Sequence, residues 1–133
     1  MNEQQRQDLV NYRIEKAKET LAEAESHMRN EFWNSAVNRL YYYYSCFYAV
    51  NALLAAKEIY VKTHTGTRQM FALHFVKPGI INKEAGKFYS DIFTLRHDGD
   101  YQDFFEFKKK DVIELLGPAT ELIARIEEII SSK

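Results

Sequence analysis

Residues 95 to 101 read LRHDGDY, which gathers side chains able to do chemistry around one glycine. An arginine can bind a phosphate, a histidine can transfer a proton, and a tyrosine can stack on a base or donate a hydrogen bond. The same types suit the end of a helix, because cations fit its carbonyl end and Asp-Gly favours a turn. The stretch predicts a helix that ends near His97 and a turn at Gly99. Functional interest then falls on three residues, Arg96, Asp100 and Tyr101.

A second group of such side chains lies in the run RLYYYYSCFYAV, which begins at Arg39. Arg39 and Tyr42 are three positions apart and therefore share one face of a helix. Either Arg39 reaches water or a carboxylate from the outer end of that helix, as long basic side chains do. Or Arg39 and Tyr42 form the wall of a cleft that offers a guanidinium and a phenol to a phosphate or a base. The residues themselves leave both interpretations open.

The histidines and the cysteine do not form a metal-binding pattern. No two histidines have the i, i+4 spacing of a helical zinc pair, no HExxH occurs, and the single Cys46 builds no thiolate site. Glycine-rich phosphate loops and GxSxG are also absent. We therefore expect no metal and no cofactor. His64, in the connector KTHTG, either orients a turn or belongs to a site.

Length and composition indicate one domain without a membrane segment. The chain has 133 residues, 18 basic and 19 acidic, so any contact with nucleic acid has to be local. Its N-terminus is polar, no apolar stretch approaches the ~20 residues of a membrane helix, and one cysteine suits a reducing compartment. These features predict a cytoplasmic protein.

Apolar periodicity predicts an all-α bundle of four to five helices. Asn34 or Ser35 is expected to cap the second helix and Asn82 the fourth, while Pro118 is expected to kink or reset the last. On the third helix Met70 and Leu73 are expected to face the core, with Phe71, Phe75 and Val76 as further candidates. The expected helices run from about Asp8 to Met28, Ser35 to Lys57, Thr67 to Lys77, Lys83 to Arg96, and Lys109 or Asp111 to Ile130.

The second predicted helix is apolar nearly all round, which places it at the centre of the bundle. Its small side chains would let another helix come close. It should be covered either by neighbouring helices on most sides or by a second copy of the chain, and we expect a homodimer formed largely through this helix. A purely structural dimer or adaptor predicts that changes at Ala49 or Ala52 break the dimer.

The order RLYYYYSCFYAVNALL, KTHTG, FALHFVKPGII and LRHDGDY, followed by a last amphipathic helix, resembles the HEPN superfamily of small helical bundles. The resemblance covers about residues 10 to 130 and is greatest to the stand-alone type with Arg-x-Tyr-Tyr and Arg-x-x-x-Asp-Tyr motifs. It implies a single HEPN-like domain over residues 1–133, folded as a four-to-five-helix up-and-down bundle. Such proteins are usually homodimers and are often encoded beside a minimal nucleotidyltransferase as a toxin–antitoxin pair.

Many members of the superfamily are metal-independent ribonucleases, in which an Arg is followed after about four to six residues by a His. Arg96 matches the arginine, but the histidine is absent, because the corresponding positions hold Tyr101, Gln102 and Asp103. Arg68 and His74 match the spacing on the third predicted helix, yet positions six apart on a helix point about 120° away from each other. We interpret that match as coincidence.

The resemblance implies a metal-free site for nucleotide or RNA, with Arg96 the candidate catalytic residue. Arg96 and Asp100 either fix the loop as an ion pair, or the arginines bind phosphate while a tyrosine stacks on the base. The leading interpretation is a nucleotide- or RNA-binding partner of a nucleotidyltransferase. The alternatives are a ribonuclease in which His64 or His97 replaces the missing histidine, and a structural dimer or adaptor. The implied site residues are Arg39, Tyr42, His64, Arg96, Asp100 and Tyr101.

Overall fold

Helices account for the fold throughout the part of the chain that the structure describes. The computed structural model describes residues 1–37, 45–101 and 107–132, with residues 95–101 described by their backbone alone. Within these ranges there is no strand, which confirms the predicted all-α bundle. The elements are α1 (Glu3–Arg29), α2 (Trp33–Val37), α3 (Ser45–Ala56), α4 (His64–Phe71), a π-helical segment (Ala72–Val76) that continues α4, α5 (Lys83–Tyr101) and α6 (Lys109–Ser131).

Helix α1 begins earlier than its apolar pattern predicts, because a reciprocal cap fixes its first turn. The Gln5 N–H donates to Asn2 Oδ1 at 2.8 Å, and the Asn2 N–H donates back to Gln5 Oε1 at 2.9 Å. These bonds satisfy amide groups that a helix start leaves open. The predicted start at Asp8 is therefore wrong by about one turn, since capping side chains carry no apolar signal.

Helix α3 is the central element, as predicted. It has no charged residue, and it packs against α1 on one side and α6 on another. Ala49, Ala52 and Ala55 are completely buried within the chain. Of the two covers expected for this helix, neighbouring helices or a second copy of the chain, the structure shows the first, since α1 and α6 pack on α3 within one chain.

The beginning of the predicted second helix also differs from expectation. Helix α2 begins at Trp33, so neither Asn34 nor Ser35 is its N-cap. The Asn34 side chain instead accepts a hydrogen bond from the Phe107 N–H at 2.8 Å, which ties α2 to the start of α6. Residues 38–44, between α2 and α3, lie outside the described residues.

The chain turns between α4 and α5 as the sequence predicts. Gly79 adopts a φ of 86°, a left-handed conformation that glycine tolerates, directly after Pro78. The Ala85 N–H donates to Asn82 Oδ1 at 2.8 Å, which confirms Asn82 as the cap of α5. Leu73 is exposed, contrary to prediction, because the wider turns of the π-helical segment shift which side chains face inward. Phe71 and Phe75, the further candidates for that face, are buried.

The predicted end of α5 is wrong. The helix continues through Gly99 to Tyr101 instead of turning at Asp98 and Gly99. A glycine inside a helix costs about 1 kcal/mol relative to alanine, too little by itself to end a helix that tertiary packing supports. Upstream, Ile92 is buried as expected, and so is Tyr89. Helix α6 spans the predicted range and passes through Pro118 without being reset.

Candidate functional site

The first turn of α4 determines where His64 lies. Thr63 caps the helix, since its hydroxyl oxygen accepts from the Gly66 N–H at 2.9 Å. The Thr67 hydroxyl donates to the Thr63 carbonyl at 2.8 Å and strengthens the same turn. The sequence KTHTG suggested a connector, but His64 is the first residue of a capped helix.

His64 contacts the central helix through its ring. Its imidazole lies against the phenyl ring of Phe47, with ring centroids 4.1 Å apart and planes inclined by 32°. Phe47 belongs to the first turn of α3, so this contact joins the starts of α3 and α4. Both side chains are half-buried, which leaves part of the imidazole accessible to solvent.

Arg68 lies one helical turn after His64 and contacts α5. The carbon at the centre of its guanidinium is 4.6 Å from the centroid of the Phe93 ring. A guanidinium over an aromatic face gains a cation–π attraction of about 0.5–1 kcal/mol at a partly exposed site. Its N–H groups point outwards in the plane of the guanidinium and can still donate hydrogen bonds. Arg68 is thus a positioned cation beside His64.

Three contacts define how α4 and its π-helical continuation lie against α5. Gly86 lies beside the Val76 side chain, Phe71 packs edge-on against Tyr89 with centroids 5.3 Å apart, and Arg68 lies over Phe93. The contact residues on α4 and its continuation run towards the N-terminus, from Val76 to Arg68, while their partners on α5 run towards the C-terminus, from Gly86 to Phe93. The two helices are therefore antiparallel. Continuing this register by one turn brings the backbone of residues 96 and 97 level with His64.

The predicted site residues fall into two groups. The register, continued by one turn beyond Arg68 and Phe93, would bring His64 level with the α5 backbone at Arg96. Asp100 follows Arg96 by about one turn of α5. The side chains of Arg96, Asp100 and Tyr101 lie outside the described residues, as do Arg39 and Tyr42. Segment 38–44 immediately precedes the α3 turn that holds Phe47.

Two further residues join this region that the sequence did not suggest. Phe47 was assigned to the apolar core, and its contact with His64 joins positions far apart in the chain. Arg68 was considered only with His74, whereas its spacing of four from His64 places these two on one helix face. The spacing of four between His64 and Arg68 is the feature of the sequence that could have identified Arg68. His74 is exposed, and no described hydrogen bond or ring contact joins it to Arg68.

Other reactive groups lie apart from this region. Cys46 is completely buried, and burial raises the pKa of its thiol to about 12 although a hydrogen bond with Ser45 acts in the opposite direction. A neutral buried thiol is a poor nucleophile. Among the described side chains, no three His, Cys, Asp or Glu groups are arranged to hold a metal ion. The described helices also include none with the length and apolar character to cross a membrane.

Comparison with known proteins identifies the family. The family model for the HEPN domain matches residues 10–129, which is most of the chain. The chain belongs to the HEPN domain family. The helical bundle and the order of its motifs agree with this membership.

Several HEPN relatives are similar over much of the chain. A "UPF0332 protein" from Thermotoga maritima is 39% identical over 130 residues, which cover 98% of this chain and 96% of that protein. Two proteins of Methanocaldococcus jannaschii carry the names "Putative toxin MJ0142" and "Putative toxin MJ0605". The first is 35% identical over 120 residues, covering 90% of this chain and 80% of its own, and the second 36% over 88 residues, covering 66% and 64%.

Proposed function

We propose that this HEPN protein binds a nucleotide or RNA and works with a nucleotidyltransferase as a toxin–antitoxin-like pair. The antiparallel register of α4 and α5 is the observation that supports it, because the register, continued by one turn, would bring the imidazole of His64 level with the position of Arg96. The proposed binding residues are the six that the sequence implied, namely Arg39, Tyr42, His64, Arg96, Asp100 and Tyr101. Arg68, one turn after His64 on α4, is added to them.

The chemistry of this group suits a phosphate with an attached base. Arg96 would bind phosphate oxygens through two parallel N–H groups, and the charge on both partners would strengthen each bond. Asp100, one turn further along α5, would hold the guanidinium in orientation. Tyr42 or Tyr101 would stack on the base, as aromatic side chains do in complexes with single-stranded RNA.

A binding titration tests this site. Fluorescently labelled short RNAs and mononucleotides are titrated with wild type, Arg96→Ala and Arg125→Ala. Arg125 on α6 pairs with Glu128 at 2.9 Å and serves as the matched control for loss of one arginine. We expect Arg96→Ala to weaken binding at least about tenfold, because hydrogen bonds to charged groups contribute about 1.5–3 kcal/mol. Absence of binding by wild type, or unchanged binding by Arg96→Ala, would sink the proposal.

The toxin–antitoxin-like role is supported by the names of the two Methanocaldococcus jannaschii relatives. Induced expression in a bacterial host should slow growth, and co-expression of a nucleotidyltransferase encoded in the neighbouring gene should restore it. The two proteins should also elute together from a size-exclusion column. A chain without effect on growth that forms no complex with such a neighbour would count against this role.

An endoribonuclease is the second candidate, favoured by the same register because, continued by one turn, it would bring a histidine of α4 level with an arginine position of α5. His64 would accept the proton of an RNA 2′-hydroxyl while the 2′-oxygen attacks the adjacent phosphorus. Arg96 would stabilise the charged phosphorane, and as the P–O5′ bond breaks the leaving 5′-oxygen would take a proton from water, giving a 2′,3′-cyclic phosphate and a 5′-hydroxyl. The imidazolium of His64 would then return its proton to the hydroxide left by that water.

Incubation of RNA in EDTA distinguishes the two candidates. Cleavage should be abolished by His64→Ala and by Arg96→Ala and retained by His74→Ala, an exposed histidine on the π-helical segment. RNA that stays intact with wild type would exclude the ribonuclease and leave the binding module.

A further inference from the structure

A surface of cations and tyrosines lies on α1 and α3, apart from the His64 region. Arg13 contacts α3 through a hydrogen bond from Nη1 to the Asn51 carbonyl at 3.4 Å, and Arg6 contacts Glu58 after the end of α3 at 2.8 Å. These contacts make α1 and α3 antiparallel, so Lys16 lies level with Tyr48. We name the group the α1–α3 patch, consisting of Tyr12, Arg13, Lys16, Tyr48 and Tyr60.

Arg13 is the least satisfied cation of this patch. Its side chain is half-buried, and this burial lowers the pKa of Arg13, while the nearby phenol groups of Tyr48 and Tyr60 act in the opposite direction. A guanidinium has five N–H donors, yet Arg13 makes one long bond to a carbonyl and no ion pair with any described carboxylate. A partly buried charge is costly unless it is paired, so the geometry suits an anion from outside the chain.

Two carboxylates near the patch are paired, Glu58 with a cation outside it and Glu19 with Lys16 of the patch itself. Glu58 pairs with Arg6, and Glu19 pairs with Lys16 at 3.3 Å. The Lys16–Glu19 pair is exposed, and such pairs contribute at most about 1 kcal/mol, so Lys16 can exchange Glu19 for an incoming anion at little cost. Two cations one helical turn apart are therefore available to one ligand.

Exposed aromatic rings flank these cations. Tyr12 is 56% exposed and Tyr60 is 50% exposed, although rings of this size usually bury more of their surface. Lys16 Nζ lies 5.8 Å from the centroid of the Tyr12 ring. The Tyr60 hydroxyl donates to Met1 Sδ at 3.8 Å, and half of that tyrosine is still exposed. Cations beside exposed aromatic side chains suit the phosphates and bases of a single strand. A carboxylate from a protein partner would satisfy Arg13 but would leave the rings uncovered.

We propose that the α1–α3 patch binds single-stranded RNA, with a phosphodiester at Arg13 and Lys16 and a base on Tyr12 or Tyr60. The ligand class rests on the proposed function. The patch also connects to the first site, because the Tyr48 ring lies 6.4 Å from that of Phe47, which stacks on His64. A strand bound near His64 can thus continue across the start of α3 to the patch.

The test measures the affinity for a single-stranded RNA as a function of salt. The double variant Arg13→Gln/Lys16→Gln removes both proposed phosphate contacts. We expect about tenfold weaker binding and a salt slope reduced by roughly 0.7, because that is the contribution of one neutralised phosphate on a single strand. The matched control is Lys18→Gln on the same helix, whose ammonium faces α6 and lies 2.8 Å from Glu127. It should retain the wild-type affinity and slope.

A third variant guards against loss of folding as the cause. Tyr12 is exposed, so Tyr12→Ala should keep the helical circular dichroism of wild type and still bind the strand more weakly. Mononucleotide binding should respond to Arg96→Ala and not to the patch variants, which separates the two sites.

Each remaining outcome has one meaning. RNA binding that depends on the patch and not on Arg96 would contradict the first site and keep the second. An unchanged affinity and slope in the double variant would overturn the patch alone, as would a variant that loses self-association or nucleotidyltransferase binding but still binds RNA normally. A wild type without RNA binding would overturn both.

Discussion

Cys46 shows at the residue scale how burial sets chemistry. The thiol lies inside α3 with its Sγ atom 4.0 Å from the Ser45 hydroxyl. Burial raises its pKa from 9.0 to about 12, since the charged thiolate would lose its hydration. Cys46 is therefore a structural residue, and neither alkylation nor oxidation should reach it in the folded protein.

This raised pKa predicts a pH-dependent stability. Below pH 9 the thiol is protonated in both states and its contribution is complete, whereas between pH 9 and 12 the unfolded state releases the proton and the folded state keeps it. The stabilising contribution is thus lost as the pH rises. Urea unfolding should show a steeper fall in stability above pH 9 for wild type than for Cys46→Ala. Parallel curves for the two proteins would contradict the assignment, because other titrating groups are common to both.

His64 and Phe47 show what residue types alone can and cannot predict. The sequence identifies a histidine in a connector and an aromatic residue in an apolar helix. Their contact depends on the packing of α4 against α3, which no local pattern encodes. For the same reason, spacing within one helix could have indicated Arg68 beside His64, whereas the stacking of Arg68 on Phe93 requires the antiparallel register of two helices.

At the scale of elements, the cap of α4 positions the start of the candidate site. Thr63→Ala should lower the free energy of unfolding by about 1 kcal/mol, because it removes the acceptor for the Gly66 N–H. Thr63→Ser should restore most of the loss. Thr65→Ala, an exposed change in the same turn, is the control in urea titrations. Equal effects at Thr63 and Thr65 would mean that the cap contributes nothing.

The packing of α5 on the π-helical segment gives a second prediction. A Cβ at Gly86 would lie 2.8 Å from both methyl carbons of Val76, whereas a Cβ at Gly117 on α6 would meet no atom within 4 Å. Gly86→Ala should therefore destabilise the protein. Gly117→Ala should change its stability less, because the gain in helix propensity is offset by the ring of Pro118, which disfavours a helical conformation in a preceding residue with a Cβ.

A double variant tests the register itself. Val76→Ala makes room for the added methyl group, so Gly86→Ala should cost less in that background than in wild type. Thermal unfolding of the four proteins of this cycle measures the coupling. Strictly additive effects would argue against the contact between Val76 and Gly86, and with it against the register that brings His64 level with residue 96.

Helix positions followed largely from apolar periodicity, and the departures have local causes. Asn82 and Pro78 fix their boundaries through capping and a missing N–H, which act within a few residues. Gly99 was a poor boundary signal because its intrinsic cost is small, and Asn34 was a poor one because its amide serves Phe107, far along the chain. Leu73 faces outward because a π-helical turn breaks the 3.6-residue period on which the prediction relied.

The whole molecule depends on the close approach of α1 to α3. Ala52→Leu should destabilise each chain by about 1–3 kcal/mol, because a completely buried position has no room for a larger side chain. Ala22→Leu, an exposed change on α1, should stay within about 0.5 kcal/mol of wild type. Denaturant titrations at several protein concentrations measure both. A loss of stability in Ala52→Leu that grew on dilution would instead indicate a contact between chains.

The homodimer itself remains a prediction, and its interface has to lie elsewhere than the buried alanines of α3. Sedimentation velocity on wild type measures the oligomeric state directly. A monomer at all concentrations would contradict the homodimer and would leave the candidate site to be formed within one chain.

The placement of α3 also bears on how slowly the folded chain exchanges its amide protons. Every residue from Ala49 to Ala55 is buried, with neighbours contributed by α1 and α6. Deuterium can reach those amides when the surrounding helices separate, so their exchange should require opening of the whole bundle. The exposed π-helical segment at Ala72–Leu73 needs no such event. Amide exchange would thus be slow in α3 and fast in the π-helical segment. The proposed nucleotide binding at the start of α4 would occur between these two regions.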